Sequence, residues 1–196
     1  IHARTAAEVF GVPIDQVDAS MRRAAKAVNF GIVYGISDYG LSTNLSISRA
    51  RAKEYIERYF LRYPKVAEYQ RITVVEARKR GFVSTLLGRR RYLPELASSN
   101  FNVRSFGQRM AINTPIQGSA ADIIKLAMLA LAAEIEKRGL QTRMILQVHD
   151  ELIFDVPPAE RQIMLELIPK QMENALPLSV PLTVDLKEGP DWYNMK

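Results

Sequence analysis

Arg22, Lys26, Phe30 and Tyr34 stand four residues apart in the run RRAAKAVNFGIVYG, two cations followed by two aromatic rings. On a helix each four-residue step turns by about 40°, so the four side chains form one slanting stripe covering about 120° of the surface. Such a stripe can hold a nucleotide lengthwise. Guanidinium and ammonium donors suit a triphosphate, and flat rings suit the sugar and base beside it. The same spacing also describes an ordinary amphipathic helix whose rings pack inward while its cations stay solvated.

A second group lies in QVHDELIF, where Asp150 and Glu151 adjoin each other between two apolar runs. Carboxylates on a rigid hairpin are hard oxygen ligands suited to Mg²⁺, and an ion held there could stabilise charge on a transferring phosphoryl group. A polar turn with its acids in water has the same sequence. Arg109 and Asn113 are four apart before Pro115, and Gln117 follows it. Their donors suit the minor-groove acceptors that every base pair offers, though Asn113 and Gln117 could instead satisfy backbone groups freed by the proline. Gly88-Arg89-Arg90-Arg91-Tyr92 crowds three cations into a tight turn, a phosphate contact or a solvated charge run. His2, one of two histidines, has no role that spacing alone assigns.

These groups need elements to position them. Residues 2–10 read as a helix closing at Gly11-Val12-Pro13, and a second helix runs from Ser20, its expected N-cap, to about Tyr34, where Gly35 stops it. Apolar spacing predicts a helix over 48–63, and Pro64 opens another that ends at Gly81. Phe82–Leu87 and Arg90–Leu93 form a hairpin pattern around Gly88. A helix from Val103 should break or kink near Asn113 because of Pro115. A new one should start at a capping box of Ser119 and Asp122 and end at Gly139. Met144–Val148 and Leu152–Val156 read as a hairpin with acids at its tip, followed by a helix over roughly Ala159–Ala175 and a last strand over Leu182–Leu186.

With 196 residues, 47% hydrophobic and 24% charged, the chain can bury a real core as one large domain or two small ones. The net charge of +6 fits a polyanionic partner without requiring one. The absence of Cys excludes a disulfide framework and a thiolate metal site. No apolar run reads as approaching the roughly 20 residues of a membrane span, and the first residues lack a signal-peptide pattern, so an intracellular, cytoplasmic protein without a membrane partner is expected. Ile1 opens directly into helix-like sequence, which suggests part of a longer protein.

Long strings carry a resemblance. RRAAKAVNFGIVYG over 22–35 is similar to the O-helix motif of family A DNA polymerases, QVHDE over 147–151 to their palm motif, and RMAINTPIQGSAADIIK over 109–125 to the segment between them. GRRRYLP over 88–94 lies where the family has a near-identical run. The order matches across essentially the whole chain, and the bacterial DNA polymerase I group is the nearest in kind. The resemblance implies an α+β right-hand polymerase fold, with a palm-to-fingers junction over 1–18, a mostly helical fingers subdomain over 19–102, and part of the palm, with antiparallel strands, over 103–196. It implies template-directed DNA synthesis from dNTPs with two Mg²⁺ ions, in a parent that is monomeric. His2, Arg22 and Lys26 match binders of the incoming triphosphate, with Lys26 also facing the departing pyrophosphate. Phe30 matches the aromatic beside the deoxyribose, and Tyr34 the ring closing the insertion site. Arg91, Arg109, Asn113, Gln117 and His149 match DNA contacts, Asp150 a metal-binding catalytic aspartate, and Glu151 a supporting carboxylate. The family's other catalytic aspartate belongs to a strand motif resembling DYSQIELR, expected upstream of His2 and absent from these 196 residues. A polymerase fragment that binds nucleotide or DNA without turnover is the alternative, and a metal nuclease built on Asp150 and Glu151 is a poorer one.

Overall fold

The computed structural model describes residues 2–195 and separates into two compact units, Ile1–Ile116 and Gln117–Lys196. The first unit begins with α1 (His2–Phe10) and α2 (Ala19–Val33). Asp18, not Ser20, caps α2: its carboxylate accepts from the Met21 amide at 2.7 Å, and the Ser20 hydroxyl donates to the same oxygen. An ionised carboxylate complements the positive end of the helix better than a hydroxyl, so the acid two residues upstream takes the cap. Gly35 ends α2 at φ +70°, and the Ile32 carbonyl in the last turn accepts from both the Gly35 amide at 2.9 Å and the Gln70 side chain at 2.7 Å.

A short helix that periodicity did not announce, α3 (Asp38–Leu45), precedes α4 (Arg49–Arg62) and α5 (Pro64–Arg80). Val9, Val28, Ile32, Leu41, Ala52, Tyr55 and Tyr59 bury one core among α1 to α4. Each fully buried Val, Leu or Ile there contributes about 1.5–3 kcal/mol relative to exposure. A second core of Ala77, Val83, Leu93, Leu96, Met110 and Ala111 joins α5 and the hairpin of β1 (Phe82–Ser84) and β2 (Arg90–Tyr92) to α6 (Phe101–Lys137).

α6 corrects the sequence reading in three respects. It continues through Pro115 for 37 residues, so there is no break at Asn113. Ser119 and Asp122 are buried inside it instead of opening a new helix. The proline removes one hydrogen bond and crowds the Ala111 carbonyl, at about 3 kcal/mol. That cost is offset on one side by buried Met110, Ala111 and Ile112, and on the other by buried Ile124, Ala127 and Leu131. By length and composition α6 is also apolar enough to cross a membrane, contrary to the expectation that no run approaches that size. One such helix is weak evidence for a span: 22% of its apolar window is buried, and Leu131 of α6 is fully buried against Met164 and Leu167.

In the second unit α6 ends in a Schellman turn: Gly139, at φ +67°, donates to Glu136, and Leu140 donates to Ile135. β3 (Arg143–Val148) and β4 (Glu151–Asp155) then pair antiparallel, with an irregularity between Met144 and Leu146. α7 (Arg161–Glu173) covers the hairpin through Met164 and Leu167. Glu160 ties the start of α7 to the end of the α6 turn, accepting from the Gln141 and Thr142 amides and the Thr142 hydroxyl at 2.6–2.9 Å. Residues 182–186 are not a strand. They pair with none of the described strands, and the Val184 amide donates to the Glu173 carboxylate at 3.0 Å.

Candidate functional site

α2 turns Ala25, Val28, Gly31 and Ile32 into the core and leaves Arg22, Lys26, Phe30 and Tyr34 exposed on the opposite stripe. The rings are therefore not core residues, which removes the plain amphipathic reading. Phe30 and Tyr34 lie nearly parallel, 6.5 Å between centroids and 11° between planes. Lys26 Nζ sits 5.8 Å from the Phe30 centroid, inside cation–π range. α1 brings His2 to the same surface, its ring 5.7 Å from that of Phe30. Among the described residues Arg22 has no ion-pair partner, so its guanidinium is available to an anion.

Asn29, one residue before Phe30, was not singled out by the sequence. Its Nδ2 lies 3.0 Å from His2 Nδ1 and 3.1 Å from Thr5 Oγ1, so it fastens α2 to α1 beside the stripe. The only local signal was a polar residue on the inner edge of an otherwise apolar helix face. Its partners are 24 and 27 residues away.

The far end of the stripe meets α6. A Cβ on Gly35 would stand 3.3 Å from Arg109 Cγ, so the absent side chain lets Arg109 and Ile112 approach the end of α2. Arg109 places its guanidinium 5.9 Å from the Phe106 ring. Asn113 is one helical turn further along α6, and Gln117 follows at the next four-residue step of the same helix. Neither side chain has a hydrogen-bond partner among the described residues, so neither satisfies a group freed by Pro115. From β2 the Arg91 side chain reaches α6, donating to Thr114 Oγ1 at 3.3 Å and directed at Met110 Sδ at 2.9 Å, while Arg90 stacks over Phe82 at 4.7 Å.

In the second unit the β3–β4 turn consists of His149 and Asp150, with Glu151 already in β4 opposite Val148. His149 takes φ +54°, a left-handed conformation that lets the strands close in two residues. All three side chains are exposed. Asp150 fits one hard-oxygen arm of a divalent ion site. Glu151 follows it as the first residue of β4, and successive side chains along a strand face opposite sides; among the described residues no three or more His, Cys, Asp or Glu gather as a ligand set.

The sequence model of DNA polymerase family A matches residues 1–194. The chain belongs to DNA polymerase family A. It is 57% identical over its whole length to DNA polymerase I of Bacillus subtilis (strain 168) and 58% identical to that of Bacillus caldotenax, spanning 22% of the length of each. A solved POL domain of Pol1 from M. smegmatis, in complex with DNA primer-template and dNTP, superposes with a TM-score of 0.87 at 51% identity. The match covers 92% of this chain and 32% of that one. The fold is thus that of a right-hand polymerase fragment, mostly helical with small antiparallel sheets. Within this family A chain, His2, Lys26, Phe30 and Tyr34 form one contiguous surface, with Arg22 one turn before Lys26 on the same helix.

Proposed function

We propose that this chain supplies the nucleotide-selecting surface and one metal-binding carboxylate of a DNA-directed DNA polymerase, in which a primer 3′-hydroxyl attacks the α-phosphate of a template-selected dNTP. The observation that carries this reading is the exposed stripe of α2, with His2 and Phe30 in ring contact and Lys26 over the Phe30 face. Arg22, Lys26 and His2 bind the triphosphate, with Lys26 beside the leaving pyrophosphate. Phe30 lies along the deoxyribose and Tyr34 closes the insertion site. Arg91, Arg109, Asn113, Gln117 and His149 contact primer-template. Asp150, supported by Glu151, holds Mg²⁺ together with an aspartate of the longer protein. The solved relative with primer-template and dNTP supports these partners, and the same reading extends to a monomeric, cytoplasmic parent enzyme of replication and repair. The fingers over 19–102 and the palm from 103 onward belong to the same reading.

The test is Lys26→Ala in the full-length polymerase. A cation facing the leaving group matters most as negative charge develops there, so single-turnover incorporation should fall about 100-fold. Primer-template affinity should change by less than about twofold. Equal losses in both would make Lys26 a general DNA contact and sink its assignment. A second reading, a chain that by itself binds nucleotide without turnover, is favoured by the lack of a three-ligand cluster among the described residues.

A further inference from the structure

Asn29 is half-buried between α1 and α2, and its amide nitrogen has two hydrogens and no lone pair to offer. Both of its contacts, to His2 Nδ1 and to Thr5 Oγ1, are therefore donations. The direction of the network is set at its far end. Glu8 takes a hydrogen bond from the Tyr63 hydroxyl and faces Arg62 at 3.1 Å and Arg4 at 3.6 Å. The Tyr63 bond, then Arg62, holds its carboxyl below the usual range, so Glu8 is ionised and only accepts. Tyr63 gives Glu8 its one proton, so its own oxygen offers only lone pairs to the Thr5 hydroxyl beside it. A Thr5 proton turned toward that oxygen leaves the lone pairs of Oγ1 for Asn29, as the 3.1 Å contact from Asn29 Nδ2 requires. The amide must present its N–H₂ edge, and the second hydrogen falls on His2 Nδ1.

We infer that Asn29 is a positioning residue that keeps the ring proton of His2 on Nε2, making that nitrogen a hydrogen-bond donor for an anionic oxygen. The consequence for dNTP binding rests on the proposed role of His2; the tautomer does not. A histidine free to take the other tautomer would present a lone pair to a triphosphate, and repel it.

The decisive measurement is ¹⁵N NMR of the histidine-labelled chain under alkaline conditions. It has two histidines, and His2→Gln assigns the signals. The wild type should show an unprotonated Nδ1 and a protonated Nε2 at His2. Asn29→Asp has nearly the same shape but can only accept, so the proton should move to Nδ1 and the pattern should invert. Thr5→Val removes the lone pair that anchors the amide and should give a mixture, which serves if Asn29→Asp does not fold. A wild-type ring protonated on Nδ1, or a pattern unmoved by Asn29→Asp in a folded chain, would overturn the inference. In the full-length polymerase, Asn29→Asp should raise KM for dNTP about tenfold, with kcat and primer-template affinity changed much less. If the tautomer inverts while KM stays at the wild-type value in both Asn29→Asp and His2→Gln, the inference stands and the triphosphate role of His2 fails.

Discussion

Phe30 presents an apolar ring, 48% exposed, between a cation and a second ring. If the deoxyribose lies along it, a dideoxynucleotide, which lacks its own 3′-hydroxyl, finds nothing there to replace the missing group. Phe30→Tyr supplies a hydroxyl at the ring edge. A site that regains one polar contact for the defective substrate should raise the ratio of dideoxy to deoxy incorporation by about tenfold or more, roughly 1.4 kcal/mol. An unchanged ratio would place the sugar elsewhere. The stripe was legible in the sequence because its four members share one helical period, and the core on the opposite face of α2 then forces them outward. Asn29 was not legible, because its meaning comes from His2 and Thr5, on another helix at separations that no periodicity encodes.

α1 is fixed to α4 by a polar clamp in which Glu8 meets Tyr63, Arg62 and Arg4, and the Arg58 guanidinium donates to the Val9 carbonyl at 3.0 Å. Because the Glu8 carboxyl is held below its ordinary value of 4.5 in the folded state, chiefly by the Tyr63 hydrogen bond, the sign of its linkage is definite. Its stabilisation is fully present above the unfolded-state value and is lost as pH falls through the lower folded-state value. Glu8→Gln should lower stability by about 1–2 kcal/mol at neutral pH, the scale of a hydrogen bond to a charged group, and the gap to wild type should close as the medium is acidified below that range. Thermal unfolding across pH checks this, and a gap that stays constant into acid would mean the carboxylate charge is not what holds the clamp. Helix ends marked by Gly35, Gly81 and Gly139 were readable because a left-handed residue is a local requirement. The expected break at Pro115 failed because buried neighbours on both sides outweigh one lost hydrogen bond. The expected strand over 182–186 failed because β-propensity does not supply a pairing partner.

At the scale of the molecule, the sequence motifs fall into two compact units whose boundary, at Ile116 and Gln117, lies inside α6, where no linker composition could have marked it. The chain spans 22% of the length of its Bacillus relatives, and its metal chemistry has to be judged on the ligands it carries. Two-metal phosphoryl transfer needs carboxylates on both sides of an ion pair about 3.5–4 Å apart, one ion at the attacking oxygen and one at the leaving group. Asp150 offers one side, and Glu151, opposite Val148 in β4, follows it directly, where consecutive side chains along a strand face opposite sides and make a poor joint clamp. No other acid joins them in a three-ligand cluster among the described residues. The hairpin that carries Asp150 is a two-stranded ladder covered on one face by α7, while Ile145 and Leu146 stay exposed and no third described strand pairs with it. The 196-residue chain alone should therefore bind dNTP weakly and fail to extend a primer in Mg²⁺, primer-template and dNTPs. Asp150→Asn, prepared in parallel, reports contaminating polymerase. Extension by the wild-type chain that disappears in Asp150→Asn would show that another carboxylate of this chain completes the clamp, and the division of the metal site between this chain and the rest of the enzyme would have to be abandoned.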